Sequence, residues 1–397
     1  MWRNVASNAL TLFIVILVAA SGMLTMMRAW YDEPGPLTQA ICFKVERGAS
    51  LSSVSRALVE QKAISGAATF RMGANYGGQA SKLKFGSYLI APQSSMASVV
   101  TVLTAGGQST CGAEVNFIIG VTSAQVVLQK LDPGTNKYVE VVKFDPAAGA
   151  PPQDYTDAAA ASDLRWRVTL AEGVTSWNVV DALKHADFLT GDVATVPLEG
   201  TLAPESYDVD KDEDRNTLLA QMAERQTATL ASLWQARASG LPYRSAQDAL
   251  IMASIVEKET GVPLERKRVA SVFLNRMAQG MKLQTDPTVI YGVTKGQGNL
   301  GRGLRQSELR RETPWNTYVI DGLPATPIAN PGRLSIEAAL NPDSTKFLFF
   351  VADGSGGHAF AATLEEHNAN VAKWRALQAG TGATDNSGTG DGTAPAP

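Results

Sequence analysis

Apolar positions along the chain fall into three textures, each predicting a different kind of element. The first is an unbroken run. Residues 9–27, "ALTLFIVILVAASGMLTMM", carry no charge over 19 positions. As a helix, such a run crosses a hydrocarbon core of roughly 30 Å. Arg3 precedes it, while Arg28, Asp32 and Glu33 follow, a bias that favours an N-terminus inside. A cleaved signal peptide is the alternative, with small residues at "AASG" (19–22), but the apolar run continues past them. The expectation is an uncleaved single-span anchor. On either reading the rest of the chain lies on the exported side.

The second texture is a recurring unit: an apolar strand, a Gly, then Ser or Thr opening an amphipathic helix. Copies run "FKVERGASLSSVSRAL" (43–58), "VNFIIGVTSAQVVLQKL" (115–131) and "VTLAEGVTSWNVVDAL" (168–183), with a half-copy "GSYLIAPQSSMASVVTVL" at 86–103. Val54, Val126 and Val179 each lie six residues after Gly48, Gly120 and Gly173. Gly permits the tight turn and the hydroxyl residues cap the helix. Such βα pieces build a core whatever their role; modules of this kind also bind glycan chains. "YDEPGP" (31–36) reads as a linker, as does the Ala/Pro/Asp-rich stretch 145–163. The tail from Gly380 is low in complexity and is expected to be disordered.

The third texture begins at Ser245. "SAQDALIMASIVEKETG" opens with a capping-box pattern, Ser245 with Asp248, and continues almost wholly apolar, the mark of a buried helix. Gly261 is the expected stop, and Pro263 the start of a second helix reaching Gly280. Loop-like stretches come next at 283–292 and 313–332, then a short helix capped by Ser335. "KFLFFVA" (346–352) and "HAFAAT" (358–363) predict an antiparallel pair, and 364–377 a closing helix.

Composition narrows the chemistry. A net charge of −3 gives no basic field, which argues against nucleic acid as a partner. Two cysteines, Cys42 and Cys111, make no zinc site; a disulfide and two unpaired thiols both stay open. No HExxH, GxSxG or phosphate-loop pattern is present, and His358 and His367 read as satisfied polar residues rather than metal ligands.

Two acids in "ASIVEKETG" (253–261) then stand out. Glu257 and Glu259 are two positions apart, so on a helix they face roughly opposite ways and only one can look into a given cleft. Both sit at the negative end of the helix dipole with Lys258 as the only basic neighbour in sequence, a setting that raises a carboxyl pKa. A Glu protonated near neutral pH is what general acid catalysis requires; a solvated helix end is the plain alternative. Gln284, Asp286, Tyr291, Asn316, Tyr318 and Asn330 fall in segments read as non-helical. Amides and rings of this kind suit sugar recognition, and equally suit ordinary turns.

"ASIVEKETG", "RVASVFLNRM", "GMKLQTDPTVIYG", "WNTYVIDGLPATPIANPG", "FLFFVADGSGGHAF" and "HNANV" closely resemble the YceG-like, or MltG-type, endolytic murein transglycosylases. The resemblance is dense over 246–375. Upstream it is looser: "KFGSYLIAPQSSMASVVTVLTAGG" is similar to that family's LysM-like module, while 108–165 has no clear counterpart and "LAPESY" has Glu205 where the family more often shows Asp. The resemblance implies an α+β protein with one N-terminal transmembrane helix, one or more LysM-like βα modules and a mixed α+β catalytic domain. It places the catalytic glutamate on Glu259. Gln284, Asp286, Tyr291, Asn316, Tyr318, Asn330 and His358 are the candidates to line the substrate cleft. No metal or cofactor is implied.

On this reading residues 1–8 are cytoplasmic, 9–28 the membrane span, 29–40 a linker and 41–107 the LysM-like module. Residues 108–165 are an inserted βα unit with its linker, 166–245 a βα unit with connecting helices, 246–378 the catalytic domain and 379–397 the tail. The implied partners are peptidoglycan glycan strands, the membrane, and cell-wall synthases of the penicillin-binding type. The implied location is the inner membrane with a periplasmic enzyme that terminates glycan elongation. A non-catalytic glycan-binding scaffold is the alternative.

Overall fold

In the computed structural model, residues 2–106 and 109–381 are described. The fold is mixed α+β. The chain divides into two units: Met1–Asn116, Val127–Phe144 and Pro151–Trp166 form the first; Phe117–Val126, Asp145–Ala150 and Arg167–Pro397 form the second.

The first unit begins with α1 (Trp2–Asp32). Within it, Thr11–Asp32 has a mean hydropathy of 2.0 and is the one described helix long and apolar enough to cross a membrane. The helix continues into the stretch read as a linker, and the residues beyond its end are tied down: Gly35 N donates to the Gln93 carbonyl at 3.2 Å, and Gln93 N to that of Leu37 at 2.9 Å. Next come β1 (Ile41–Val45), α2 (Leu51–Glu60), α3 (Ala67–Tyr76), β2 (Gly86–Ile90) and α4 (Met96–Thr104). Strands β1 and β2 pair antiparallel with Phe43 opposite Tyr88. Phe43, Val54, Leu58, Phe70, Tyr88, Val99 and Leu103 fill the core. The turn chemistry is as expected. Gly48 adopts φ 76°, a conformation that costs glycine little. Ser50 caps α2 by accepting from Ser53 N, and Ser95 caps α4 by accepting from Ser98 N.

Cys42 on β1 is bonded to Cys111 with a Cα–Cα distance of 5.6 Å, which closes the alternative of two free thiols. The loop it closes spans a sequence separation of 69. Loop-closure entropy for such a length is about 4 kcal/mol. Thermal unfolding of the Cys42→Ser/Cys111→Ser protein should therefore show the first unit melting earlier than in the oxidised wild type, and reductant should shift only the wild type. An unchanged melting point would mean the native packing of β1 and β2 suffices alone.

The middle of the chain departs from expectation. Strands β3 (Ala113–Ile119), β4 (Ala124–Asp132) and β5 (Lys137–Phe144) are followed by α5 (Gln153–Ala159), β6 (Arg165–Leu170), α6 (Ser176–Leu183), β7 (Leu189–Thr190), β8 (Ser206–Val209), β9 (Glu213–Asp214) and α7 (Arg215–Gln235). A five-stranded sheet has the order β5-β4-β3-β6-β8, and β7 pairs parallel with β9. The second βα copy is thus a correction: residues 124–131, read as helix, are strand. Gly120 makes a short turn instead of a helix start, its N–H donating to the Ser123 carbonyl at 3.0 Å. Val126, Val127 and Leu128 are all buried, a short apolar run whose period suits either element; the β-branched pair favours strand. The 145–163 stretch is only partly linker. Within α5, Tyr155 is buried, edge-on to Phe144 at 5.2 Å and to Trp166 at 6.3 Å. The third copy forms as expected, with Gly173 at φ 79° and Thr175 accepting from Asn178 N at 3.3 Å to cap α6.

The remainder of the second unit comprises α8 (Ala246–Glu259), α9 (Arg266–Ala278), α10 (Asp286–Thr294), α11 (Gln306–Leu309), α12 (Arg333–Leu340), β10 (Phe349–Ala352), β11 (His358–Ala361) and α13 (Leu364–Thr381). Ser245 caps α8 and accepts from Asp248 N at 3.3 Å. Residues Ala249–Val256 of α8 are all buried, as their apolar run requires. They share a core with Val269, Val272 and Phe273 of α9 and with Ile336, Ala339 and Leu340 of α12. Strands β10 and β11 pair antiparallel with Phe349 opposite Ala361, as expected.

Four local readings are corrected. Gly261 is not the helix stop: α8 ends at Glu259 and Thr260 turns the chain with φ −144°. Ser335 lies inside α12, fully buried, behind Gly332 at the cap position. Residues 286–294, read as loop, form α10. Pro287 sits in its first turn, where a missing N–H costs nothing, and Val289 turns inward. Residues 379–381 belong to α13 rather than to a tail, and the rest of the expected tail lies outside the described residues.

Candidate active site

The C-terminal turn of α8 carries both glutamates, and the helix separates them as its geometry requires. Glu257 turns toward an internal ion pair. Its Oε1 lies 3.4 Å from Arg266 Nη2, both side chains nearly sealed from solvent, and its Oε2 accepts from Gly332 N at 3.0 Å. Glu172 Oε2 meets the same guanidinium nitrogen at 3.1 Å. Burial, and the charge of Glu257 beyond it, raise the Glu172 pKa.

Glu259 turns the other way and meets α10. Thr285, just before α10, donates its hydroxyl to Glu259 Oε1. Burial is the main cause of a carboxyl pKa pushed up to about 7; the Asp286 charge adds to it, while the Thr285 hydrogen bond and the Arg276 charge oppose it. The residue keeps part of its surface open while its carboxyl lies deep among protein atoms. The expected cause of the raised pKa was the helix end; in the structure it is desolvation. Lys258 as sole basic neighbour is likewise corrected, because Arg266 and Arg276 arrive from α9.

The segment facing Glu259 is tightly fixed. Gln284 has φ 49°, a left-handed conformation unusual for a residue with a side chain. Its N–H donates to the Thr317 carbonyl at 3.1 Å, and Thr285 N donates to Thr317 Oγ1 at 3.1 Å. Thr288 and Thr317 hydroxyls meet at 2.8 Å. Tyr318 donates its hydroxyl to Asp286 Oδ1 at 2.6 Å, and burial together with the Asp286 charge raises the Tyr318 pKa. Arg276 is buried and donates to the carbonyls of Leu348 at 2.7 Å and Leu283 at 2.6 Å. Asp286 and Tyr318 therefore gather around Glu259 with two residues not expected at the site from sequence, Thr285 and Arg276, while Gln284 precedes Thr285 in the same segment with its N–H on Thr317. Thr285 is legible beside Asp286 in "QTDP"; Arg276 lies within the helix expected between Pro263 and Gly280, with nothing local to mark it.

The other expected site residues lie differently. Tyr291 donates to Glu199 Oε2 at 3.1 Å, and its ring tilts against Trp315 at 5.7 Å. Glu199 in turn accepts from Ser176 N at 2.8 Å at the start of α6, and burial raises its pKa. Asn316 is fully buried, and its amide donates to the carbonyls of Glu308, Leu309 and Arg311. Asn330 is fully buried between Leu202 N and the Val174 carbonyl, each at 2.9 Å. His358 pairs through Nδ1 with Glu265 at 2.8 Å and has no hydrogen bond to Glu259. These residues hold neighbouring segments in place. Among the described residues no cluster of three or more His, Cys, Asp or Glu could hold a metal. A surface concavity of about 470 Å³ lined by Trp234, Arg237 and Tyr243 includes none of the groups around Glu259 and brings no acid.

The arrangement can hold a proton at Glu259 near neutral pH and hand it to a ligand atom that reaches the carboxyl. The YceG-like family profile matches residues 43–373. The endolytic murein transglycosylase of Bacillus subtilis (strain 168) is 38% identical over 173 residues, 43% of this chain and 46% of that protein. The protein of the same name from Streptococcus pneumoniae (strain D39) is 30% identical over 182 residues, 44% of this chain and 32% of its own length. The chain thus spans less than half the length of these relatives. A crystal structure of a yceG-like protein from Listeria monocytogenes is 25% identical, with 84% of this chain and 99% of that one covered at a TM-score of 0.44. With most of its length matched by one family profile, the chain belongs to the YceG-like family.

Proposed function

We propose that this protein is a membrane-anchored endolytic lytic transglycosylase of peptidoglycan. The observation that carries the reading is the Glu259 carboxyl, pushed up to about 7 by burial and aimed at the fixed α10 segment. Similarity to proteins named endolytic murein transglycosylase supports the substrate. Glu259 donates its proton to the glycosidic oxygen between N-acetylmuramic acid and N-acetylglucosamine as the C1–O bond breaks. The carboxylate then takes the proton from the muramyl C6 hydroxyl as that oxygen bonds to C1. One acid serves both steps, and the product carries a 1,6-anhydro end. Asp286, oriented by Tyr318, is the negative charge placed to oppose the oxocarbenium-like character at C1. Gln284, beside Thr285, is the further candidate for substrate contact, while Tyr291, Asn316, Asn330 and His358 hold the surrounding segments.

In this account residues 9–28 span the inner membrane, 41–107 form a LysM-like glycan-binding module and 246–378 the catalytic domain, all beyond the span being periplasmic. Nascent glycan strands are the substrate, cutting them ends elongation, and penicillin-binding synthases are the neighbours in the assembly. The Cys42–Cys111 disulfide suits an exported location.

The pH dependence tests the acid role. Glu259 must enter the reaction protonated, so kcat/KM should fall about tenfold per pH unit above pH 7. Asp286→Asn removes a charge that raises Glu259 and should move this alkaline limb to lower pH. A profile with no alkaline limb between pH 6 and 9 contradicts the assignment.

A further inference from the structure

We propose that helix α3 is a lipid-contacting surface, seated in the headgroup layer beside the anchor. The inference rests on the reading of α1 as a membrane span. The observation is how the end of that span is packed. Tyr31 lies against Gly73 of α3, so closely that a Cβ on Gly73 would come within 2.2 Å of the Tyr31 ring. Glycine is needed there to let the aromatic seat directly on the α3 backbone. Tyr31 also packs against the core that includes Phe70 and Ala74 of α3. The anchor therefore passes into the first unit without a flexible joint, and the bonds at Gly35 and Leu37 hold the chain after it.

Depth is set by helix rise. If the span ends near residue 28, Tyr31 stands about 5 Å beyond it at 1.5 Å per residue. The polar layer of a bilayer is about 5–7 Å thick on each side of the hydrocarbon. A helix with its side chains is about 10 Å across. The point of α3 that meets Tyr31, at Gly73, thus lies at headgroup depth, and Tyr76, three residues on, lies within about 5 Å of it along the helix.

What α3 presents at that depth is suited to it. Met72 and Tyr76 are four residues apart and share one face, next to the face that meets Tyr31. Tyr76 is 95% exposed and Met72 48%, although both sit on a helix whose other face is core. Trp30, beside Tyr31 on the anchor, is 46% exposed. Tyr and Trp favour the membrane interface, where the ring is sheltered and the polar atom stays wet. Exposed Arg28 is placed for lipid phosphates. In water this group of side chains is a liability; at a lipid surface it adds contact area to the anchor.

The two native cysteines are bonded to each other, so one added cysteine is the only free thiol. Tyr76→Cys and Ser21→Cys full-length proteins would each carry an environment-sensitive fluorophore and be placed in phosphatidylethanolamine/phosphatidylglycerol vesicles. Position 76 is so exposed that the substitution leaves the core untouched. Label at 76 should lose most of its emission to lipids bearing a nitroxide at the headgroup, and little to iodide in the water. Label at 21 should be lost to lipids with a nitroxide deep in the chain. Quenching at 21 with label 76 open to iodide would overturn the α3 proposal while leaving the anchor intact. Label 21 open to iodide would overturn both.

Discussion

Glu259→Gln is expected to cut release of glycan fragments from peptidoglycan by about 10²–10⁴-fold or more, with the protein still folded. The size comes from removing the carboxyl proposed as the proton donor, whose pKa burial pushes up to about 7. Gln matches the shape of the protonated acid and can still accept from Thr285, so the α10 segment should keep its place. Stability gives a second readout with a definite sign. The folded-state pKa of Glu259 is raised, so its contribution to stability is fully present below the unfolded value of 4.5 and is lost as pH rises through about 7. Gln does not titrate. The variant should therefore match wild type near pH 4 and exceed it at pH 8, by about 1–3 kcal/mol. Equal melting at pH 8 would mean the carboxyl is not desolvated, and wild-type turnover would remove it from the reaction.

Arg266→Leu is expected to destabilise the second unit by about 3–5 kcal/mol, the largest folding effect in this account. Arg266 answers two carboxylates, Glu172 at 3.1 Å and the enclosed Glu257 at 3.4 Å. Removing the cation leaves Glu257 without its counter-charge at the base of α8, two residues from Glu259. The cost is that of an unpaired buried charge rather than of a lost contact. A double variant, Arg266→Leu with Glu257→Gln, should recover much of the loss because only Glu172, whose side chain is 40% exposed and so can be hydrated, then lacks its partner, whereas Glu257→Gln alone should cost less than Arg266→Leu. Urea titrations of the three proteins against wild type check the order. If the double variant is the least stable, the residues act through packing and not through charge.

Much of this arrangement was legible because it depends on local rules. The apolar texture of 249–256 marked α8 as buried, and a helical turn of about 100° per residue separated Glu257 from Glu259 before any neighbour was known. The Gly-then-Ser/Thr units gave true helix starts at Ser50, Ser95 and Thr175. The same pattern misled at 120–131, where a short apolar run fits either period and the tie was broken by pairing within the sheet. Asp286 and Tyr291 fall in a stretch that reads as loop-like, yet Pro287 suits a first helical turn and the segment forms α10. Most of the missed detail was nonlocal. Arg266 and Arg276 reach the glutamates from another helix, and the engagement of Asn316 and Asn330 with backbone carbonyls is set by which loops they close. A polar residue in a loop looks the same in sequence whether it faces a ligand or its own main chain.

A single acid that makes anhydro ends is the centre of the proposed mechanism, and the products test it most directly. Full-length wild type and Glu259→Gln would be incubated side by side with peptidoglycan and the new chain ends identified by mass spectrometry. Wild type should yield 1,6-anhydro-muramyl ends, and the variant none above background. Reducing ends from wild type, or anhydro ends undiminished in the variant, would contradict the proposed mechanism.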